Sequence, residues 1–254
     1  MATQIQDAPF NPGIPMKRQW GTALGALRRL LANGDDTEQV FKIMRALNGD
    51  VTQRNYRKLL TMPNGGKLAY RRLELAERLS DRHWIDGFAE GTVGGTYRSF
   101  LDATGYSAQG LAEVSLNAIG GEGLEIEHPY VWMGRRERDI HDLWHVLTGY
   151  KADEHLGEAC LVAFSYAQTG GLGWALIAAG AALKSLRVTG KRDFLKAVLE
   201  GYRHGKRAAW LHGEDYEALL AEPLDAARRR LRIEPPVAYR VAQASLAAQG
   251  LSGI

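Results

Sequence analysis

The chain has little of what would take it out of the ordinary run of globular proteins. A single cysteine, Cys160, in 254 residues excludes an internal disulfide framework and fits a reducing compartment. It sits in an apolar run, where a small core residue is expected in place of a reactive thiol. Charge of one sign is scarce as well. The net charge is +3 and the arginines spread along helical faces, so no nucleic-acid partner is implied. The first twenty residues carry Pro9, Pro12 and Pro15, little arginine or serine, and no apolar stretch of signal-peptide type. They read as a disordered lead-in over residues 1–18. The longest uncharged run, Ala159 to Leu183, has the length of a membrane span. Ser165, Gln168, Thr169, Gly170 and Gly171 interrupt its middle, which predicts two buried helices joined by a turn.

Leucine, alanine, arginine and glutamate dominate, alternating β-branched runs are absent, and the apolar spacing is helical nearly throughout. A hydrophobic fraction of 45% is ample for one core. The pattern predicts an all-α, single-domain multi-helix bundle over residues 19–234, without internal repeats. Expected helices are Trp20 to Leu31, Asp36 to Leu47, Tyr56 to Leu60, Leu68 to Leu79, Thr96 to Thr104, Gly134 to Thr148, Asp193 to Trp210 and Asp215 to Leu231. Asp35-Asp36 reads as a helix N-terminus in preference to a diphosphate site. Pro235-Pro236 marks the expected end of the folded part, leaving 235–254 as a tail that packs loosely or on a partner.

Chemistry concentrates in His141-Asp142-Leu143-Trp144-His145. At about 100° per residue, His145 lies only about 40° round from His141, with Asp142 in the same arc. Two imidazoles and a carboxylate can thus converge on one point. Twelve residues separate His145 from Glu158, which follows a Gly149 break and can supply a fourth ligand from the next helix. Such a mixed nitrogen and oxygen set suits a divalent metal such as zinc or iron. The same pattern also fits buried histidines with ordinary hydrogen bonds, and Arg138 to Asp142 has the spacing of an i,i+4 ion pair. Glu137 is placed either to orient a ligating imidazole or to stay solvated.

The wider sequence resembles the coenzyme Q biosynthesis protein 4 family. The resemblance is carried by Arg136, Arg138, Asp139, His141, Asp142 and His145, then Thr148-Gly149 and Leu156-Gly157-Glu158. Ala167 to Leu172, Asp35 to Phe41, Arg45 to Leu47, Gly94 and Tyr97 to Leu101 extend it across about residues 20–220. The spacer before Glu158 is one residue longer than the family's, with the extra residue in the loop Tyr150 to Asp153. The retained Leu-Gly-Glu keeps Glu158 ahead of Glu154 or His155 as the ligand.

The resemblance implies a divalent metal, zinc by family likeness with iron or another redox metal as the alternative. It implies ubiquinone biosynthesis, with oxidative decarboxylation at the carboxylate-bearing ring carbon of a polyprenylated hydroxybenzoate. Expected partners are that lipid, other ubiquinone biosynthesis proteins, a membrane surface and a second copy in a homodimer. The expected location is cytoplasmic, peripheral on the inner face of a bacterial membrane. The isoprenoid tail would need an apolar groove, for which the Ala/Gly-rich helices from Cys160 to Leu183 are candidate walls, although tight helix packing explains them equally. Two rival functions are a non-enzymatic lipid-binding scaffold and an HD-type phosphohydrolase. The second needs a further histidine, for which His83 and His128 are the nearest candidates.

Overall fold

A computed structural model describes residues 17–118, 128–189 and 192–251. The lead-in up to residue 16 and the stretch Gly120 to Gly123 lie outside them. Among the described residues the fold is all-α, with one isolated bridge between Thr92 and Pro223.

In chain order the helices are α1 (Trp20–Ala32), α2 (Thr37–Leu47), α3 (Val51–Leu60), α4 (Gly65–Arg71), α5 (Leu75–Ser80) and α6 (Arg82–Asp86). They continue with α7 (Val93–Thr104), α8 (Ala108–Ala118), α9 (Pro129–Asp139), α10 (His141–Thr148) and α11 (His155–Thr169). The last five are α12 (Leu172–Thr189), α13 (Asp193–Arg207), α14 (Tyr216–Leu220), α15 (Leu224–Leu231) and α16 (Val237–Ala247). Asp36 does sit at the N-cap of α2, but its carboxylate accepts from the Gln39 side chain at 3.2 Å instead of a backbone N–H.

Three expected helices are each broken in two, and long-range contacts explain the breaks. Leu68 to Leu79 divides at Arg72, which adopts a left-handed conformation with φ 42°. The groups freed there are taken up from α9. Trp132 Nε1 donates to the Leu73 carbonyl at 3.1 Å, and the Asp139 carboxylate accepts the Ala76 N–H at 3.2 Å. The expected helix Gly134 to Thr148 divides at Ile140, just past that buried Asp139. Asp215 to Leu231 divides where residues 222–224 pair with the loop before α7. Val93 N–H donates to the Glu222 carbonyl at 2.9 Å and Leu224 N–H to Gly91 at 2.8 Å.

The core lies around α11, a nearly all-buried helix sandwiched between α12 and α13. Its contact with α13 depends on glycine. A Cβ on Gly201 would stand 2.3 Å from the Cys160 carbonyl oxygen, and one on Gly205 would stand 2.5 Å from that of Phe164. On α12, a Cβ at Gly173 would meet Met44 Sδ at 2.6 Å, and one at Gly180 would meet Leu27 at 3.0 Å. These small residues bring helices into close contact, as the tight-packing reading of this segment expects.

The chain beyond Pro235-Pro236 is not a loosely packed tail. Its helix α16 lies along α13 and buries Tyr239, Ala242 and Leu246. Pro236 occupies the position before the helix, where a missing N–H and a fixed φ do no harm.

Candidate metal centre

Helix α10 ends at Gly149, whose φ of 77° suits glycine and whose N–H closes on the His145 carbonyl at 2.8 Å. The turn that follows brings the Tyr150 carbonyl back under His145. It lies 2.8 Å from His145 Nδ1. A carbonyl only accepts, so Nδ1 holds a proton and Nε2 is the atom left to take a metal ion or a second proton. That Nε2 is buried and has no hydrogen-bond partner, yet Glu158 Oε1 stands 3.2 Å away. A lone pair facing a carboxylate oxygen at this distance is repulsive unless a metal ion, or a proton on Nε2, lies between them. This orphaned atom fits a metal site, and the carbonyl behind Nδ1 is the usual arrangement for a ligating histidine.

Ligand atoms of His141, His145 and Glu158 all lie within 4.8 Å of one another. The two imidazoles are 4.9 Å apart between ring centres, as the i,i+4 spacing requires. Asp142 stands beside this group and not in it, with Oδ1 3.5 Å from His141 Nδ1. Burial disfavours a charge on His141, but the neighbouring Asp142, followed by Glu158 and Glu137, outweighs it and lifts the imidazole above its ordinary range. For Glu158, burial likewise opposes ionisation, and His145, then His141 and His155, hold the carboxyl below its usual value.

Two aromatic rings wall the site. Phe100 from α7 stacks on His145, with centroids 6.1 Å apart, and Trp174 from α12 stacks on His141 at 6.2 Å. Glu137 is neither solvated nor bonded to an imidazole ligand. Its Oε1 accepts the Trp174 indole N–H at 3.0 Å, and its Oε2 faces buried His212 at 3.6 Å. The expected pair of Arg138 with Asp142 is replaced by Arg138 with Asp139 at 2.6 Å. Phe100, Trp174 and the Tyr150 carbonyl are the parts that sequence reasoning missed. None has a spacing signal relative to the histidines.

Glu154, the near alternative to Glu158, points elsewhere. Its carboxylate accepts from Tyr239 and from Gln243 at 2.9 Å. Gly157 admits the close approach of the preceding loop. A Cβ there would lie 2.0 Å from the Lys151 carbonyl, so it is the loop that closes on α11. Glu158→Gln is therefore expected to weaken zinc binding by more than about 10-fold. Glu154→Gln, whose amide oxygen can still accept from Tyr239, should stay near the parent. Competition titration ranks the two, and the opposite order would move the ligand to Glu154.

A phosphohydrolase of HD type loses its further histidine. His128 caps α9 by accepting the Tyr130 N–H at 3.2 Å, and among the described residues the metal-type cluster contains only His141, His145 and Glu158.

A sequence model of the Coenzyme Q (ubiquinone) biosynthesis protein Coq4 family matches residues 14–237. The mitochondrial ubiquinone biosynthesis protein COQ4 homolog of Nematostella vectensis is 30% identical over 160 residues, covering 61% of this chain and 72% of the relative. The mitochondrial ubiquinone biosynthesis protein COQ4 of Yarrowia lipolytica is 28% identical over 230 residues, covering 85% and 82% respectively. A crystal structure from Nostoc punctiforme, of a protein provisionally named for ubiquinone biosynthesis, aligns with a TM-score of 0.62 at 20% identity. It covers 86% of this chain and 100% of its own, a likeness of fold.

One expectation is overturned by these relatives. They are named as mitochondrial proteins of eukaryotes, which conflicts with a cytoplasmic location on the inner face of a bacterial membrane. No helix of the described residues is long and apolar enough to cross a membrane. From the match along most of its length, this chain belongs to the Coenzyme Q (ubiquinone) biosynthesis protein Coq4 family.

Proposed function

We propose that His141, His145 and Glu158, with Asp142 alongside, hold one divalent metal ion, and that the protein oxidatively decarboxylates a polyprenylated hydroxybenzoate in ubiquinone biosynthesis. The observation that carries this reading is the partnerless His145 Nε2 facing Glu158 while Nδ1 is locked by a carbonyl. The donor set suits zinc, by family likeness, or iron. When bound, such an ion supplies Lewis acidity toward a ring carboxylate and the adjacent phenolate oxygen, and iron adds redox chemistry.

The chain's own residues prepare the site. Tyr150 fixes the His145 tautomer, and Asp142 holds the His141 imidazole from the side. Phe100 and Trp174 lie nearly parallel to the two rings and wall the site. The Glu158 side chain retains 38% of its exposure, so the site opens to ligands on that side. In the reaction the ring carbon loses its carboxylate as carbon dioxide and gains a hydroxyl. This is a net two-electron oxidation, in which water supplies the hydroxyl oxygen and molecular oxygen takes up the two electrons and two protons as hydrogen peroxide.

Metal-loaded protein, purified without air and mixed with a polyprenyl hydroxybenzoate, should release carbon dioxide and form the hydroxylated ring once air is admitted. A loaded protein that binds the lipid without turnover would remove the enzymatic reading. It would leave a scaffold that works with other ubiquinone biosynthesis proteins.

A further inference from the structure

Tyr239 lies on α16, far in sequence from every proposed ligand, yet its hydroxyl meets both segments that position them. It accepts the Lys151 backbone N–H at 3.0 Å and Gln243 Nε2 at 2.9 Å, and it donates to Glu154 Oε1. Lys151 follows Tyr150, whose carbonyl holds His145. Glu154 is the residue before α11, one turn ahead of Glu158. The Tyr239 ring also stands edge-on to that of Tyr150, with centroids 5.2 Å apart. Burial, and then the bond to Glu154, push the phenol pKa upward, so the hydroxyl keeps the proton it donates.

The helix that carries this tyrosine is itself pinned. Glu200 on α13 accepts the Ala238 and Tyr239 N–H groups at 2.8 and 3.0 Å, two of the four free donors at a helix start. Gln243, one turn on, reaches both Glu154 oxygens at 2.9 and 3.0 Å. From the other side, Gly157 lets the Lys151 carbonyl press against the first turn of α11.

We propose that Tyr239 is a positioning residue for the metal centre, its hydroxyl setting the spacing between His145 and Glu158 by tying the Tyr150-Lys151 turn to the start of α11. The inference rests on the metal reading above. A tyrosine that merely anchors α16 would govern stability alone. One that positions ligands governs metal affinity and ligand geometry as well.

The test compares two variants of the full chain. Tyr239→Phe keeps the buried ring and removes the hydroxyl. Leu246→Ala loosens the same helix away from Glu154 and Lys151. Tyr239→Phe is expected to raise the zinc dissociation constant by about 10- to 100-fold, the range for residues that orient ligands. It should also shift the visible absorption of the cobalt(II)-substituted protein. Leu246→Ala should melt lower yet keep the parent's zinc affinity and cobalt spectrum. Equal loss of affinity in both variants, or parent-like zinc binding by Tyr239→Phe, overturns the inference and leaves the metal reading standing. A parent protein that takes up no zinc or cobalt overturns both.

Discussion

His145→Ala is expected to leave a folded protein that no longer holds its metal. Purified parent protein should carry about one equivalent of divalent metal per chain, since a site with fixed ligands binds tightly. Losing His145 removes the proposed ligand whose geometry is best defined, because Tyr150 and Phe100 fix its ring from two sides. Replacing a ligand should cost more than the 10- to 100-fold seen for residues that only orient one, so the expected loss exceeds about 100-fold. The fold should survive. Alanine is a strong helix former, and the main penalty is a buried Tyr150 carbonyl left unpaired, about 1–3 kcal/mol. Metal analysis beside circular dichroism reads both effects. Full metal retention with intact helicity would sink the ligand assignment.

Gly201→Val should produce the largest loss of stability away from the site. A Cβ at this position falls 2.3 Å from the Cys160 carbonyl oxygen, and the obstacle is backbone in the middle of α11. A flexible side chain can swing aside, but this carbonyl moves only if α11 and α13 separate. The expected destabilisation is at the upper end of overpacking, about 3 kcal/mol or more. For a chain of this size that corresponds to a fall in melting temperature of roughly 6–12 °C. Because α11 also carries Glu158, metal affinity should drop with it. A parent-like melting curve would mean that the glycine contact is not what joins these helices.

Helical periodicity is legible over most of the chain because it is a local property: apolar residues every three or four positions mark the buried face of α1, α2 and α13. The breaks at Arg72, Ile140 and residues 221–223 are not. Each depends on a partner from a distant segment, such as Trp132 reaching the Leu73 carbonyl or Val93 pairing with Glu222. Helix α16 was missed for a related reason. Two prolines stop a preceding helix, but the second can equally begin a new one.

At the candidate site, His141 and His145 share an i,i+4 spacing, and the Leu-Gly-Glu of the family resemblance singles out Glu158, which the structure brings beside them. Tyr150 contributes a backbone carbonyl, which any residue possesses, so no residue type signals it. Trp174 and Tyr239 arrive through tertiary packing and leave no spacing pattern relative to the histidines. Asp142 shares the helical arc of the two histidines and belongs to the motif of the resemblance, yet it stands beside the group and not in it. The side-chain rotamer, which the arc does not determine, turns its carboxylate toward His141 Nδ1.

The claim that His141, His145 and Glu158 form a metal centre is tested most directly by anomalous diffraction from crystals grown with zinc, recorded on both sides of the zinc absorption edge. The account predicts one strong peak per chain between His145 Nε2 and Glu158, at about 2.0–2.2 Å from its nitrogen and oxygen ligands. A chain that binds zinc elsewhere, or shows no peak between these side chains at saturating metal, would contradict it.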